Sequence, residues 1–412
     1  MKKILLSLLA LLTVFTLAAC GGDGSKLVIF QNKVEIGTAL TTYANAWAAK
    51  NDVNVEVVTC GGDSCAYGTQ ILAEFQKAEQ PDIFVIEGMG GYNDYKDYIL
   101  SLDGEAWLTD TDLEFKVNGV AYGFPVAVEG WGMGYNKAIL TAAGVDPDTL
   151  TSLAAYTTAF AAIQAYYTAN NMTDYVVVSM AAGSGMEWVT GLHNFNGYLS
   201  SGLTPGDSSV IDNLNDGVVN TARLQAYADW VELLFQYSPN SILIDGTYDI
   251  QVQAFDSGKA AFIHQGNWID PNLDEATFEI GYAPHAAAAG TNDAIFISAP
   301  SYYVINKNSD NIEEAKKFLQ DLASTPEGHD YMVTKAGMVA AFKSVTLLPD
   351  GKLSRAMVEW MNEGKIYSWW QNDMPSGFGM QTLGPIYTLY ARKTITKTEF
   401  IARVTTEIQD LG

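Results

Sequence analysis

The chain has 412 residues and carries 23 Lys and Arg against 47 Asp and Glu, a formal charge of -24. A field of that sign repels nucleic-acid phosphates and anionic headgroups, which excludes phosphate-backbone binding and membrane docking by charge alone. The partner is expected to be neutral, cationic or held by local chemistry, and a chain of this length is expected to form two domains or lobes.

Residues 1–19, MKKILLSLLALLTVFTLAA, combine two lysines, an apolar stretch and a small-residue end, the build of a secretory signal peptide. The stretch is too short and wrongly flanked for a transmembrane span. The L-A-A-C-G that follows resembles the lipobox of bacterial lipoproteins, which implies cleavage before Cys20 and a diacylglyceryl group on it. Two acyl chains hold a protein on a bilayer while its folded part stays in water. Residues 20–25 are then anchor and tether, and no later stretch approaches 18 apolar residues.

Structure is expected from Leu27 to Phe30, a short apolar strand, followed by a helix whose Leu40, Tyr43, Ala44 and Trp47 recur at i, i+3, i+4 and i+7. Val53, Val55 and Val57 alternate as a strand does. In VTCGGDSCAYG, Cys60 and Cys65 flank a tight turn. Outside the cytoplasm they read as a structural disulfide in preference to two free thiols, contributing about 2 kcal/mol. Metal binding is the rival, and two Cys without a nearby His are a poor ligand set. A helix through Tyr67, Ile71, Leu72 and Phe75 and a strand from Ile83 to Ile86 complete a strand–helix alternation of the parallel-sheet kind. Ala121 to Lys137, AYGFPVAVEGWGMGYNK, is a strand that sets Ala127, Glu129, Trp131 and Met133 on one side. An acid beside a Trp there is either a plain edge strand or part of a ligand site. Tyr175–Ser179 and Lys259–His264 are further strands, and 221–237 is a helix. Late in the chain, SYYVINKNSDNIEEAKKFL gives a strand and then a helix, with Asn311 and Glu314 at capping-box spacing.

Nucleophilic catalysis has little to draw on. Four His occur, none beside a recognisable nucleophile motif, and no phosphate-binding glycine loop is present. Glu87, Glu129 and Glu187 are carboxylates of the type glycoside hydrolysis needs, and the same residue type binds sugar hydroxyls. The aromatics carry more information. Of nine Trp, Trp131, Trp188, Trp268, Trp369 and Trp370 lie beside polar residues at predicted strand ends, whereas Trp47 and Trp230 lie on helical stripes and are assigned to core. Flat aromatic faces with nearby carboxylates are what a sugar ring needs, apolar face to ring and hydroxyls to acids.

The blocks PDIFVIEG, YGFPVAVEGWGMGYNK, F-x-S-G-K-A-A-F-I-H-Q-G-N-W, IGYAPHA and YYVINKNS with its EEAKKFL helix resemble the extracellular solute-binding proteins of carbohydrate ABC importers, of which maltose-binding protein is one. The resemblance covers nearly the whole mature chain. It implies an α/β, two-lobed, type II binding-protein fold, each lobe a mainly parallel sheet flanked by helices, with ligand in the cleft between lobes. Lobe 1 is expected at 26–128 plus 283–328 and lobe 2 at 129–282 plus 329–412. The matching A-V-E lies at a lobe crossing, which passes sugar contact to Glu129 and places Trp131 beside it. Glu87, Glu187 with Trp188, and Trp268 follow from neighbouring blocks, and Lys33, Glu35, Trp370 and Asp373 from looser matches. The implied protein is a monomeric, lipid-anchored sugar receptor on the extracellular face that serves an ABC permease, without catalytic residues, metal or cofactor. A polyamine or iron-chelate receptor of the same fold, and a surface glycoside hydrolase, are the alternatives.

Overall fold

The computed structural model describes residues 26–61 and 65–412. The signal segment, Cys20 and the tether lie outside the described residues. Five strands come first: β1 (Lys26–Gln31), β2 (Asn54–Thr59), β3 (Ile83–Glu87), β4 (Phe115–Val117) and β5 (Val120–Pro125). Then follow β6 (Glu129–Asn136), β7 (Val176–Ser179), β8 (Ala260–Gly266), β9 (Ile280–Ala283), β10 (Ile295–Ser298), β11 (Ser301–Ile305) and the short β12 (Ile366–Tyr367). They form two sheets, one ordered β2-β1-β3-β11-β5-β4 and the other β12-β10-β6-β8-β7, with β9 sharing an edge of β6.

Both sheets are mixed, where mainly parallel ones were expected. In the first, β1 runs parallel to β2 and β3, but β11 opposes β3 and β5. In the second, β6 opposes β8, β9 and β10. A parallel neighbour requires a crossover connection, usually a helix. Strands β6 and β11 arrive directly from the other sheet, and they enter antiparallel.

Alternation along the strands decides what each face packs against. Leu27, Ile29, Ile83 and Val85 meet Leu40, Ala44 and Trp47 of helix Gly37–Asn51 and Phe318 of helix Ile312–Ser324. Phe30, Phe84 and Ile86 point the other way, onto Ile71, Phe75 and Tyr95. In the second lobe, Val178 and Phe262 bury Tyr156 and Phe160 of helix Leu153–Ala169 and Trp230 of helix Thr221–Gln236. On β6, Gly130, Gly132 and Gly134 alternate with Trp131, Met133 and Tyr135. A Cβ on Gly130 would lie 2.6 Å from Met357 Sδ and one on Gly132 2.8 Å from the Ala283 carbonyl. The bare face is what lets helix Lys352–Asn362 and β9 approach the strand.

Helix Ile312–Ser324 buries Ala315, Phe318, Leu319 and Leu322, the stripe its period predicts. Its expected capping box is absent. Asn311 instead donates through Nδ2 to Asp82 Oδ1 at 3.1 Å and to the Lys26 carbonyl at 3.2 Å, which ties the helix start to β1. A capping box does form at Thr396 and Glu399.

The crossings also differ from expectation. The first runs through 126–128, between β5 and β6. The return to the first sheet comes at Ala299 and Pro300, later than residue 283, because β9 and β10 both pair with β6. Residues 329–345 stay on the first lobe. Tyr331 stacks on Tyr43 at 5.0 Å, Phe342 meets Phe124 at 4.8 Å, and Lys343 N donates to the Asp110 carbonyl at 2.7 Å. Aromatic burial and backbone pairing hold that segment against lobe 1 beyond the helix that was taken to end it.

A disulfide joins Cys60 and Cys65, with Cα atoms 5.1 Å apart, directly after β2. It closes a loop beside the Asn32–Val34 turn, against which Gly61 packs closely. The Cys60→Ala/Cys65→Ala double variant is expected to lose about 2 kcal/mol of stability in denaturant unfolding, the loop-entropy value for so short a ring. An unchanged midpoint would show that the bridge leaves the unfolded ensemble unconstrained.

Candidate functional site

The chain leaves the first sheet through Val126, Ala127 and Val128, all buried. Val126 N donates to the Ser301 carbonyl at 3.0 Å and Val128 N to the Val339 carbonyl at 2.8 Å, so the crossing is laced to the start of β11 and to the 329–345 segment. The next residue is Glu129, 8% exposed. A buried carboxylate needs a partner, and Lys33 supplies it. Its Nζ forms an ion pair with Glu129 Oε1 and lies 3.5 Å from Glu35 Oε1. Gln31, the last residue of β1, holds the Lys33 backbone from both sides. Its Oε1 accepts from Lys33 N at 2.6 Å and its Nε2 donates to the Lys33 carbonyl at 2.9 Å.

Burial works against both charges. For Lys33 it is outweighed by Glu129, Glu35 and Glu87, which raise its pKa and keep the ammonium charged. Burial pushes the Glu129 carboxyl up from its ordinary range against the pull of Lys33, with Glu35 and Glu87 adding to the rise.

Lys33, Glu35 and Glu129 share one cavity with Trp268 and Asn267. The Trp268 ring lies against Gly266, where a Cβ would come within 2.1 Å of it, and its Nε1 donates to Gln265 Oε1 at 2.8 Å. Around it stand His193 at 4.8 Å, Trp369 at 6.2 Å and Trp188 at 6.5 Å between ring centroids. Trp268 is the member of this aromatic cluster that faces the acids across the cavity, and the other rings pack around it. Only about 20 Å³ of this cavity is open to the centre of a water molecule, too little for a saccharide ring unless the lobes part.

Other expected residues sit elsewhere. Trp131 does not reach the cleft. It is fully buried, stacked on its cross-strand partner Phe296 at 4.1 Å and enclosed with Tyr367 and Trp369. Trp370 turns away and donates Nε1 to the Asp207 carbonyl at 2.8 Å; its neighbour Trp369 joins the aromatic cluster instead. Glu187 folds back to accept from Gly185 N at 2.9 Å and packs against Gly384. Glu87 is exposed at the end of β3 and accepts from Asn32 Nδ2 at 2.9 Å, beside the Lys33 cluster but outside the cavity lining.

Asp373 belongs to a second opening between the lobes, lined by Met89, Gly90, Asn93, Asp94, Asn215 and residues 373–376. Its Oδ1 accepts from Met89 N at 3.4 Å in the first turn of helix Gly88–Tyr95, and burial pushes its pKa up to about 6. Ser376 Oγ donates to Asp94 Oδ2 at 2.8 Å and Asn372 Nδ2 to the Pro300 carbonyl at 3.2 Å. These bonds hold the lobes together at that end.

Sequence reasoning missed Tyr248, 6.0 Å from Trp188, and the three histidines packed under the cluster. His285, His264 and His193 lie 4.8, 5.3 and 5.7 Å from Trp131. Nothing in their sequence spacing announces this; only the sheet brings His264 on β8 next to Trp131 on β6. Among the described residues no cluster of His, Cys, Asp or Glu fits a metal ion. Burial pushes His264 down from 6.5 to about 4, and lowers His193 and His285 well below their ordinary value. The folded state thus holds the neutral ring while the unfolded chain takes up a proton. Stability from this source is complete above pH 6.5 and is lost as pH falls toward 4. His264→Gln, which keeps an acceptor for Asn194 Nδ2, is expected to lose about 3 kcal/mol less than the parent between pH 7 and pH 4 in denaturant unfolding. Parallel pH profiles would place the acid sensitivity elsewhere.

The family model for the bacterial extracellular solute-binding protein matches residues 31–338. No curated protein matches the chain by sequence. Among solved structures, the chain is similar to the binding protein RafE in complex with raffinose, at 15% identity and a TM-score of 0.75, covering 94% of this chain and 99% of that one. It is similar to a sugar transporter from Bacillus licheniformis in complex with stachyose, at 16% identity and 0.71, covering 94% and 100%. It is also similar to the GacH receptor of Streptomyces glaucescens, solved unliganded and with acarbose, at 17% identity and 0.70, covering 94% and 98%. At such identities the likeness establishes the fold.

Proposed function

The chain belongs to the bacterial extracellular solute-binding proteins, and on that premise we propose that it captures a sugar or oligosaccharide between its lobes and delivers it to the membrane permease of an ABC importer. The observation that carries this reading is the cavity in which Glu129, Glu35 and Lys33 face Trp268. The carboxylates accept from hydroxyls, Lys33 donates, and the indole offers a flat apolar face to a pyranose ring. The raffinose, stachyose and acarbose named for the structural relatives support the same ligand class.

The bonds at Asp373, Ser376 and Asn372 describe a closed state. Ligand enters when the lobes swing apart about the crossings at 126–128, at 299–300 and after 345, and it favours closure by the extra contacts it makes in the closed form. Trp188 and Trp369 extend the aromatic cluster for a longer saccharide. Glu87 and Asp373, at the edge of the cleft, come into reach of ligand in the open form. The receptor acts as a monomer without catalysis, and its Cys20 carries the diacylglyceryl anchor on the outer face of the membrane. Among the described residues no helix is long and apolar enough to cross a bilayer.

A thermal-shift screen of residues 21–412 against monosaccharides, linear oligosaccharides and polyamines tests the proposal. A sugar at 100 times its dissociation constant should stabilise the fold by about 2.7 kcal/mol and remain chemically intact. Stabilisation by polyamines alone would reject the sugar reading and keep the receptor, and saccharide cleavage would replace it with a hydrolase. Trp268→Ala should weaken the saccharide found by about 1–3 kcal/mol in titration calorimetry; unchanged affinity in a folded variant would remove Trp268 from the site.

A further inference from the structure

The charges around the cavity do not balance. Lys33 is the one basic residue in its described lining, and it is already committed to Glu129 and to Glu35 at 3.5 Å. Glu87 adds a third carboxylate that acts on the same ammonium. The nearest other titratable groups do not repair the imbalance. His193 is held neutral by burial, Tyr248 stays protonated, and Asp249 adds another acid behind it. One ammonium therefore answers three carboxylates, of which Glu129 is buried beside it and Glu35 and Glu87 stand at the more exposed rim, and the charges interact most strongly at the buried pair.

Resting on the sugar reading, we infer that this carboxylate excess restricts the cleft to uncharged or amine-bearing saccharides, rejecting uronic and sulfated ones, and that Lys33 is the residue that sets the choice. An acidic group on the ligand finds no uncommitted cation and meets Glu35, Glu87 and Glu129. A ligand hydroxyl finds acceptors. A ligand ammonium finds the same carboxylates but competes with Lys33, which occupies the Glu129 position from within the protein. Lys33 thus acts as a built-in counter-ion that favours neutral ligands over amines. Replacing its charge leaves Glu129 for a cation brought by the ligand.

The test is titration calorimetry at pH 6, where the glucosamine amines are protonated, and at low salt. Neutral probes are raffinose, maltotriose and cellotriose, the amine probe is the glucosamine trimer, and the acidic probe is trigalacturonate. The proteins are the parent, Lys33→Gln and Glu35→Gln, each first shown to melt cooperatively. At least one neutral or amine probe is expected to bind the parent, with trigalacturonate at least 100-fold weaker. Lys33→Gln should raise the affinity for the glucosamine trimer relative to the neutral probes by about tenfold or more. Glu35→Gln, which removes one carboxylate and leaves the Lys33–Glu129 pair intact, should narrow the gap between acidic and neutral probes by about tenfold. Trigalacturonate binding within tenfold of the best neutral probe overturns the charge inference and leaves the sugar reading standing. The same holds for an amine-to-neutral ratio that Lys33→Gln does not move. Failure of every saccharide overturns both.

Discussion

A carboxylate at the first residue beyond an apolar crossing cannot reach bulk water, and its charge has to be met inside the protein. That constraint organises the molecule. Val126 to Val128 must be apolar because β11 and the 329–345 segment pack against the crossing there, and Glu129 follows them immediately. An isolated buried carboxylate would be too costly to keep charged. Lys33 meets it from the loop after β1, and the loop can do so because Gln31 clamps its backbone. The ion pair therefore joins the first strand of one lobe to the first strand of the other. Such a pair adds little net stability, since desolvation offsets attraction. What it adds is position: two charged groups held at the hinge, facing the cleft.

The aromatic half of the site has a different origin. Strand β6 alternates glycine with large side chains, and the glycine face receives helix Lys352–Asn362 at a distance no Cβ would allow. The opposite face is thereby fixed as the one that carries Glu129, Trp131 and Met133. Trp131, with Phe296 and three histidines about it, is a buried base on which Trp369 and, through His193, Trp268 rest. Trp268, the half-buried member of the set that lines the cavity, borrows its rigidity from that base and from a hydrogen bond to Gln265. Rigid aromatic faces lose little conformational freedom on binding, which suits a receptor that must close and then release.

Most of the framework was legible in the residues. The four-residue apolar run at Leu27, the alternating valines of β2, and the stripe of the helix Ile312–Ser324 each appear where local periodicity places them. The two cysteines are five positions apart across a glycine turn, and they are joined. Family likeness supplied the interlobe cleft, and Glu129, Lys33, Glu35 and Trp268 do share one cavity. The misses have a common form. Trp131 was set beside Glu129 because both face the same side of a strand, yet Phe296, Tyr367 and Trp369 enclose the indole while Lys33 meets the carboxylate. Trp370 was chosen over Trp369 from sequence alone, where nothing distinguishes adjacent indoles. Asn311 matched a capping spacing, but Asp82 offered its side chain a better-buried partner.

What the sequence determined by itself is therefore local and directional: which segments are strands, which stripe of a helix is apolar, which side of β6 bears the acid. Those properties follow from steric periodicity and hydrophobicity, which act over a few residues. Tertiary structure alone decided what stands opposite each face. It brought Lys33 to Glu129 across 96 positions, gathered His193, His264 and His285 round one indole, and kept residues 329–345 on the first lobe. The physical reason is that pairing between distant segments depends on sheet order and lobe geometry. Neither leaves a periodic trace in the residues it joins.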